Sequence, residues 1–375
     1  MIKKIDKFLK KDTVPSPCLV VDLEIVVENF QILSSLLPET QIYYAIKANP
    51  ARAILQKLWP LKSRFDAASI YEIRECLSVG VDPMSIAFGN TIKKRQAIRE
   101  AYLSGVRLFA IDSSNEVEKI SKAAPGSSIY CRFQTNCFGA DWPLSNKFGV
   151  QPSEVLEILR YAKSLGLAPV GLSFHVGSQQ RNNIRWDEAI AQAARLFKLA
   201  QTNGINLEIL NIGGGFTSNY RGRIPSIQDT CEGINKSVRR HFGHSSPQLI
   251  AEPGRYIVGD AGIIETEVIS VSTKANDLRR WIYIDIGKFG GLIETLGEAI
   301  RYRIDAPYND GPSGPVILAG PTCDDMDVLY QSAIYELPLS IVEGDRLRIY
   351  SAGAYTASYS AVNFNGFPPL SEYYI

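Results

Sequence analysis

The amino-acid sequence predicts an α/β protein: a (β/α)8 TIM-like barrel joined to a mostly β second domain of the sandwich or barrel type. Three observations carry this reading. Eight short strand-like runs alternate with longer helix-like stretches over residues 41–251, the order of a (β/α)8 barrel of about 250 residues. Beyond about Asp260 the helical patterns give way to strand-like runs. At 375 residues the chain also exceeds what one hydrophobic core ordinarily supports, so two domains are expected.

The strands are read from runs rich in β-branched and aromatic residues at Gln41–Ile46, Ser63–Phe65, Ser85–Phe88, Leu108–Ile111, Ile129–Phe133, Val170–Phe174, Leu207–Asn211 and Gln248–Ala251. Helical periodicity lies between them, as in Ser69–Ser78, Lys93–Ser104, Ser153–Ser164 and Trp186–Gln201. Pro152 and Glu154 suit a helix start. A doubly wound open sheet also alternates, but no G-x-G-x-x-G follows the first strand, which disfavours its dinucleotide-binding form. Past Asp260, strands are read at Ile263–Ser272, Trp281–Ile284, Val316–Leu318 and Arg346–Tyr350. The early run Cys18–Val21 is strand-like too and is free to join them. The expected domains are therefore 25–260 for the barrel, and 1–24 with 261–375 for the β domain.

Composition narrows the function classes. Forty basic residues against 39 acidic ones give a net charge of +1, without the basic excess of a nucleic-acid or anionic-membrane binder. No apolar run approaches the roughly twenty residues of a membrane span. Met1–Asp12 is Lys-rich and amphipathic, unlike a secretory signal. Cys18, Cys76, Cys131, Cys137, Cys231 and Cys323 show neither C-x-x-C nor metal-ligand spacing. A cytoplasmic protein with reduced thiols and no metal site is expected.

The residues closing the eight strands are polar where the strand interiors are apolar: Lys47, Asp66, Asn90, Asp112, Arg132, His175, Gly213–Gly215 and Glu252. In a (β/α)8 barrel that rim is the active-site face. Each has an ordinary reading as well. A lysine at a strand end is commonly a surface terminus, whereas a desolvated one attacks carbonyls. A glycine run is commonly a flexible turn, yet its bare N–H groups can cradle a phosphate. His175 can be a satisfied structural histidine; His241 and His244 read as solvated surface. Glu252 can form a loop ion pair, or hold a heteroaromatic nitrogen protonated with Arg255 near a phosphate.

Seven motifs in order then carry a family resemblance: Y-Y-A-I-K-A-N-P from Tyr43, F-D-A-A-S-I-Y-E-I from Phe65, F-H-V-G-S-Q from Phe174, N-I-G-G-G-F from Asn211, A-E-P-G-R-Y from Ala251, G-P-T-C-D from Gly320, and G-A-Y-T-A-S-Y-S-A-V-N-F-N-G-F from Gly353. The chain resembles the alanine-racemase-type (fold type III) pyridoxal 5'-phosphate (PLP) decarboxylases, in their ornithine/lysine branch. The stretches Gly139–Gly149 and Asp285–Leu292 resemble the compact bacterial ornithine decarboxylases.

The resemblance implies that Lys47 carries the cofactor as a Schiff base, His175 stacks on its ring and Glu252 pairs with the ring nitrogen. It places Ser178, Gly213, Gly214, Gly215, Gly254, Arg255 and Tyr355 around the phosphate. Asp66, Arg132 and Glu72 fall on the Lys47 side. It further implies a homodimer with shared active sites, in which Cys323 and Asp324 come from the second subunit. Cys323 is then the proton donor, and Lys147 and Asp327 pair across the interface.

For substrate, the resemblance implies a small basic amino acid, with ornithine giving putrescine. Asp324 offers an anion to a distal ammonium, with Asp285, Tyr355 and Cys323 nearby. The diaminopimelate branch has a C-E-S-G-D-type segment where Cys323-Asp324-Asp325-Met326-Asp327 stands, which argues against a second carboxylate on the substrate. Many ornithine decarboxylases carry an Asp at the position of Ile286, so lysine or another diamino acid stays open. A non-catalytic homologue of the antizyme-inhibitor type also stays open, against the retention of Lys47, His175, Glu252, Arg255 and Cys323.

Overall fold

The computed structural model describes residues 2–10, 14–142, 147–275 and 277–375. The chain divides into two compact units. One comprises Val27–Thr217 and Arg223–Gly254; the other comprises Met1–Val26, Ser218–Gly222 and Arg255–Ile375.

The first unit is the closed eight-stranded barrel the sequence predicts. Its strands are Thr40–Ala45, Arg64–Ala67, Ile86–Phe88, Leu108–Ile111, Ser128–Arg132, Ala168–Ser173, Ile209–Asn211 and Gln248–Ala251. Each pairs in parallel with its neighbours, and the last closes on the first through Ile250 and Gln41. Tyr43, Ala87, Ala110, Tyr130 and Ile250 pack as one buried cluster, large side chains against small ones.

Local chemistry starts the helices. Ser69, Ser113 and Ser226 accept the backbone N–H groups of Glu72, Glu116 and Asp229 at the heads of Ile70–Ser78, Ser114–Ala123 and Ile227–Phe242. Such caps contribute about 1 kcal/mol each. The predicted helix from Ser153 begins differently. Pro152–Glu154 forms a single 3-10 turn, closed by a Gln151–Glu154 capping box, before the α-helix Val155–Ser164. His241 also departs from expectation: its Nε2 lies 3.0 Å from Asp187 Oδ1, beside Ser237 and Arg240. Residue 241 faces the neighbouring helix Ile184–Thr202 rather than open solvent, because its turn of Ile227–Phe242 packs there.

The second unit is mostly β and bends into a nearly closed barrel. Along its sheet the order is Arg303–Asp305, Arg346–Tyr350, Gly262–Lys274, Asp277–Ile284, Ser313–Ala319 and Val328–Pro338. The early strand Cys18–Val21 does join it, antiparallel to Gly262–Glu265 and parallel to Ser371–Tyr374. The amphipathic N-terminus supplies the helix Ile2–Leu9, whose Ile5 and Leu9 pack on Cys18, Val20 and Ile263. Strands at Arg303–Asp305, Val328–Pro338 and Ser371–Tyr374 were not anticipated; nor was the short pair Ala140–Trp142 with Ser178–Gln180 in the first unit.

Candidate active site

The barrel brings the predicted rim residues to one end, where each strand hands over to its loop. Lys47 is not on the strand itself. The chain turns at Ile46–Ala48 in a 3-10 turn, with Ile46 and Ala48 buried and Lys47 turned outward. Its side chain is 43 % exposed, and its Nζ lies 2.9 Å from Oδ2 of Asp66, which is buried, with 3 % of its side chain exposed. The two strands run in register here, Ala45 opposite Asp66. A carboxylate buried in this way requires a charged or hydrogen-bonded partner, and Lys47 supplies one. The other oxygen, Asp66 Oδ1, has no protein partner among the described residues. It lies over Gly89, where a Cβ would fall 1.8 Å away.

Across the barrel, Glu252 accepts a 2.5 Å hydrogen bond from Asn211 Nδ2 and lies 3.5 Å from the Tyr130 hydroxyl. Its carboxyl is pushed up to about 7, first by burial and then by the negative charge of Asp66. Lys47, Asn211 and Arg132 pull the other way without cancelling this. Such a group is poised to share a proton with a basic nitrogen. His175 moves in the opposite direction. Burial, followed by the positive charges of Arg132 and Lys47, holds its imidazole well below the usual range, so the ring is neutral. The Gly177 N–H donates to its Nδ1 at 3.0 Å, which leaves the proton on Nε2.

The glycine run Gly213–Gly215 is a cradle rather than a slack turn. Gly213 has φ +66° and its N–H is held by Asn211 Oδ1 at 2.9 Å; an added Cβ would meet the Phe174 carbonyl oxygen at 2.3 Å. A Cβ on Gly214 would sit 3.3 Å from His175 Nε2, and one on Gly215 2.7 Å from the Gly177 oxygen. Gln180 N–H donates to the Gly215 oxygen at 2.9 Å, tying the Ser178–Gln180 strand to the run. Gly254 packs beside the Lys47 turn, its missing Cβ 2.8 Å from that of Ala48. The residues present therefore fit a phosphorylated aromatic aldehyde: an amine, a neutral flat ring, a carboxyl near neutrality and a side-chain-free cradle.

Other rim residues serve the frame. Asp112 Oδ2 accepts the Gly149 N–H at 2.9 Å, Asn90 accepts the Lys93 ammonium at 2.7 Å on its carbonyl, and Arg132 lies 5.7 Å over the Phe148 ring. Glu72 Oε2 accepts the Ala68 N–H at 2.6 Å, and burial pushes its carboxyl up. Residues 143–146 of the Gly139–Gly149 stretch lie outside the described residues; Lys147 Nζ stands 5.0 Å over the Phe148 ring.

In the second unit, Arg255 is buried and held bidentately by Glu294, at 2.8 and 2.6 Å, with the Tyr220 hydroxyl at 2.8 Å and the Tyr355 ring 4.7 Å away. Cys323 and Asp324 are exposed in the loop between Ser313–Ala319 and Val328–Pro338. Asp285 is half-buried, its Oδ1 engaged by Thr266 Oγ1 at 2.5 Å and Glu267 N–H at 3.0 Å. With Ile286 it borders a cavity of about 220 Å³ that Phe289 and Phe364 also line. Asp327 turns inward within its own chain. It is 2 % exposed, and Lys288 N–H and Thr322 bond its carboxylate inside its own chain.

Sequence reasoning assigned no role to Asn211, Tyr130 or Glu294. Asn211 opens the N-I-G-G-G-F motif and was visible there. Glu294 stands 39 residues from Arg255 in an irregular segment, and nothing local marks it.

The comparisons agree with this geometry. Residues 23–259 match the family described as pyridoxal-dependent decarboxylase, pyridoxal binding domain. The lysine/ornithine decarboxylase of Selenomonas ruminantium is 35% identical over 356 residues, 94% of this chain and 88% of that protein. The arginine decarboxylase of Paramecium bursaria Chlorella virus, solved with agmatine, superposes with TM-score 0.91 at 29% identity over the whole of both chains. The Vibrio vulnificus lysine/ornithine decarboxylase solved with putrescine gives TM-score 0.88 at 28% identity, covering 100% of this chain and 98% of that one. The chain therefore belongs to the fold type III PLP-dependent decarboxylases, in the family whose members act on ornithine, lysine and arginine.

Proposed function

We infer that this protein decarboxylates L-ornithine to putrescine, with PLP held on Lys47. The observation that carries the reading is the Lys47–Asp66 pair, 2.9 Å apart at the same barrel end as Glu252, His175 and the glycine cradle. When bound, PLP supplies an electron sink for the charge left on the α-carbon by loss of CO2. Glu252, poised near neutrality, keeps the ring nitrogen protonated. His175 offers a neutral face without like-charge repulsion. Asp66 and Arg132 orient the Lys47 side, with Glu72 behind them. The Gly213–Gly215 cradle, with Gly213 shaping the turn and Gly214 and Gly215 offering their N–H groups, takes the phosphate together with Ser178, the Gly254 turn, Arg255 and Tyr355. Cys323 returns a proton to the α-carbon.

Cys323 and Asp324 act, in this reading, from the second subunit of a homodimer, and Lys147 lies at that interface. Asp324 receives the distal ammonium of the substrate, with Asp285 and Tyr355 bordering the same region. Ile286 cannot add a second carboxylate, so one anion carries most of the selectivity. That favours a second reading in which lysine is used appreciably. A reducing, cytoplasmic setting suits the six free cysteines.

The test is kcat/KM for ornithine, lysine, arginine and diaminopimelate on purified protein. Ornithine is expected to lead lysine by about tenfold, the scale of one methylene in a fitted pocket. A higher value for any of the other three overturns the ornithine assignment.

A further inference from the structure

We propose that Asp327 is a positioning residue: its buried carboxylate holds the loop that presents Cys323 and Asp324. Gly320–Asp327 connects two antiparallel strands, Ser313–Ala319 and Val328–Pro338, which end with Ala319 opposite Val328. The Gly320 N–H donates to the Asp327 carbonyl oxygen at 2.7 Å, and the Asp327 N–H to that of Asp324 at 2.9 Å. Inside the loop, Asp327 Oδ2 accepts the Thr322 N–H at 3.1 Å and the Thr322 hydroxyl at 2.7 Å. Oδ1 accepts the Lys288 N–H at 2.7 Å from a separate segment. Lys288 closes the arrangement by donating from Nζ to the Met326 carbonyl at 2.8 Å.

Two glycines admit this carboxylate. A Cβ on Gly287 would lie 2.1 Å from Oδ1, and one on Gly320 2.4 Å from Oδ2. The site is therefore shaped to a carboxylate that accepts three hydrogen bonds while 2 % exposed. Such bonds to a charged acceptor are the strong ones, and removing it leaves buried donors unsatisfied. Thr322 immediately precedes Cys323. Fixing Thr322 at one end and Asp327 at the other fixes the tip between them, where Asp324 Oδ1 accepts the Met326 N–H at 2.8 Å and Cys323 N–H donates to Asn365 Oδ1 at 3.0 Å. The inference rests on the assignment of Cys323 and Asp324 to the reaction.

Asp327→Asn keeps the shape but sets an NH2 group against N–H donors. Gly320→Ala leaves the carboxylate and crowds it, without a positive φ to strain. Both variants are measured as PLP-loaded protein for kcat and KM, and by the rate at which iodoacetamide alkylates Cys323. That thiol is exposed in the chain while the other five are buried, so alkylation falls on this loop, and sedimentation run alongside separates a moved loop from a lost dimer. Expected are a kcat fall of about 10- to 100-fold, the scale of an ångström of misplacement, and a several-fold change in alkylation rate. The PLP absorbance band stays unchanged. Wild-type kcat and alkylation in Asp327→Asn overturn the proposal. So does a defect that vanishes at high protein concentration while the sedimenting species shifts to monomer, which would return Asp327 to a subunit contact. If Cys323→Ala itself turns over normally, the proton-donor assignment fails, and the alkylation rate still decides the loop-holding role.

Discussion

The ammonium of Lys47 stands 2.9 Å from the carboxylate of Asp66, the one nearly half exposed and the other buried. An exposed pair of this length contributes little, but here one partner is desolvated and needs the other. Asp66→Ala should therefore let the Lys47 side chain wander. A fall in kcat of about tenfold or more is expected, on the scale of lost orientation, with PLP still bound. Turnover equal to wild type would show that Asp66 merely fills space beside Gly89.

Glu252 makes stability depend on pH in the absence of cofactor. An unfolded chain releases this proton near 4.5, while the folded one keeps it until about 7. Between those values the native state binds more protons, so stability falls as pH rises. Thermal melts of PLP-free protein from pH 5 to 8 should show this decline. Glu252→Gln should flatten it, and Asp66→Asn should reduce it by removing the second cause of the upward shift. A slope unchanged in Glu252→Gln would place its origin elsewhere.

The barrel was legible because its signals are local. Strand-length apolar runs, the helical stretches between them and polar strand ends are each read within a few residues, and all eight barrel strands fall where those signals predict. Lys47 was found as a strand-end residue but sits on a 3-10 turn, a distinction that buried Ile46 and Ala48 make and periodicity does not. Val328–Pro338 was missed because its polar residues, Gln331, Ser332 and Glu336, break the apolar alternation expected of a strand. The inward turn of Asp327 was hidden as well. It depends on Gly287 and Gly320, one of them 40 residues away, and on a loop closure that no spacing rule describes.

Gly213 provides a steric test of the cradle. Gly213→Ala puts a side chain on a φ of +66° and drives a Cβ into the Phe174 carbonyl oxygen. Gly80→Ala shares the positive φ, at +84°, but meets nothing within 4 Å. The φ strain is common to both, about 1–3 kcal/mol. Only Gly213→Ala should also weaken PLP binding, measured by titrating the PLP-free protein. Equal PLP affinity in both variants would deny the glycine run its phosphate role.

Shared active sites make a mixing experiment decisive. Lys47→Ala and Cys323→Ala are each expected to be severely impaired, while Cys323→Ala retains the cofactor. Refolded together in equal amounts, half of the dimers are mixed and each holds one intact site. Recovery of up to about a quarter of wild-type activity is expected. No recovery, with mixed dimers demonstrated by differential tagging, would count against a site built from two subunits.

The most direct measurement reduces PLP-loaded protein with borohydride and locates the added mass by peptide mass spectrometry. Reduction locks the cofactor onto the amine that holds it. The account predicts the mass on the peptide containing Lys47, and loss of both the label and ornithine decarboxylation in Lys47→Ala. A label on another lysine, or CO2 release from ornithine that survives Lys47→Ala, would contradict it.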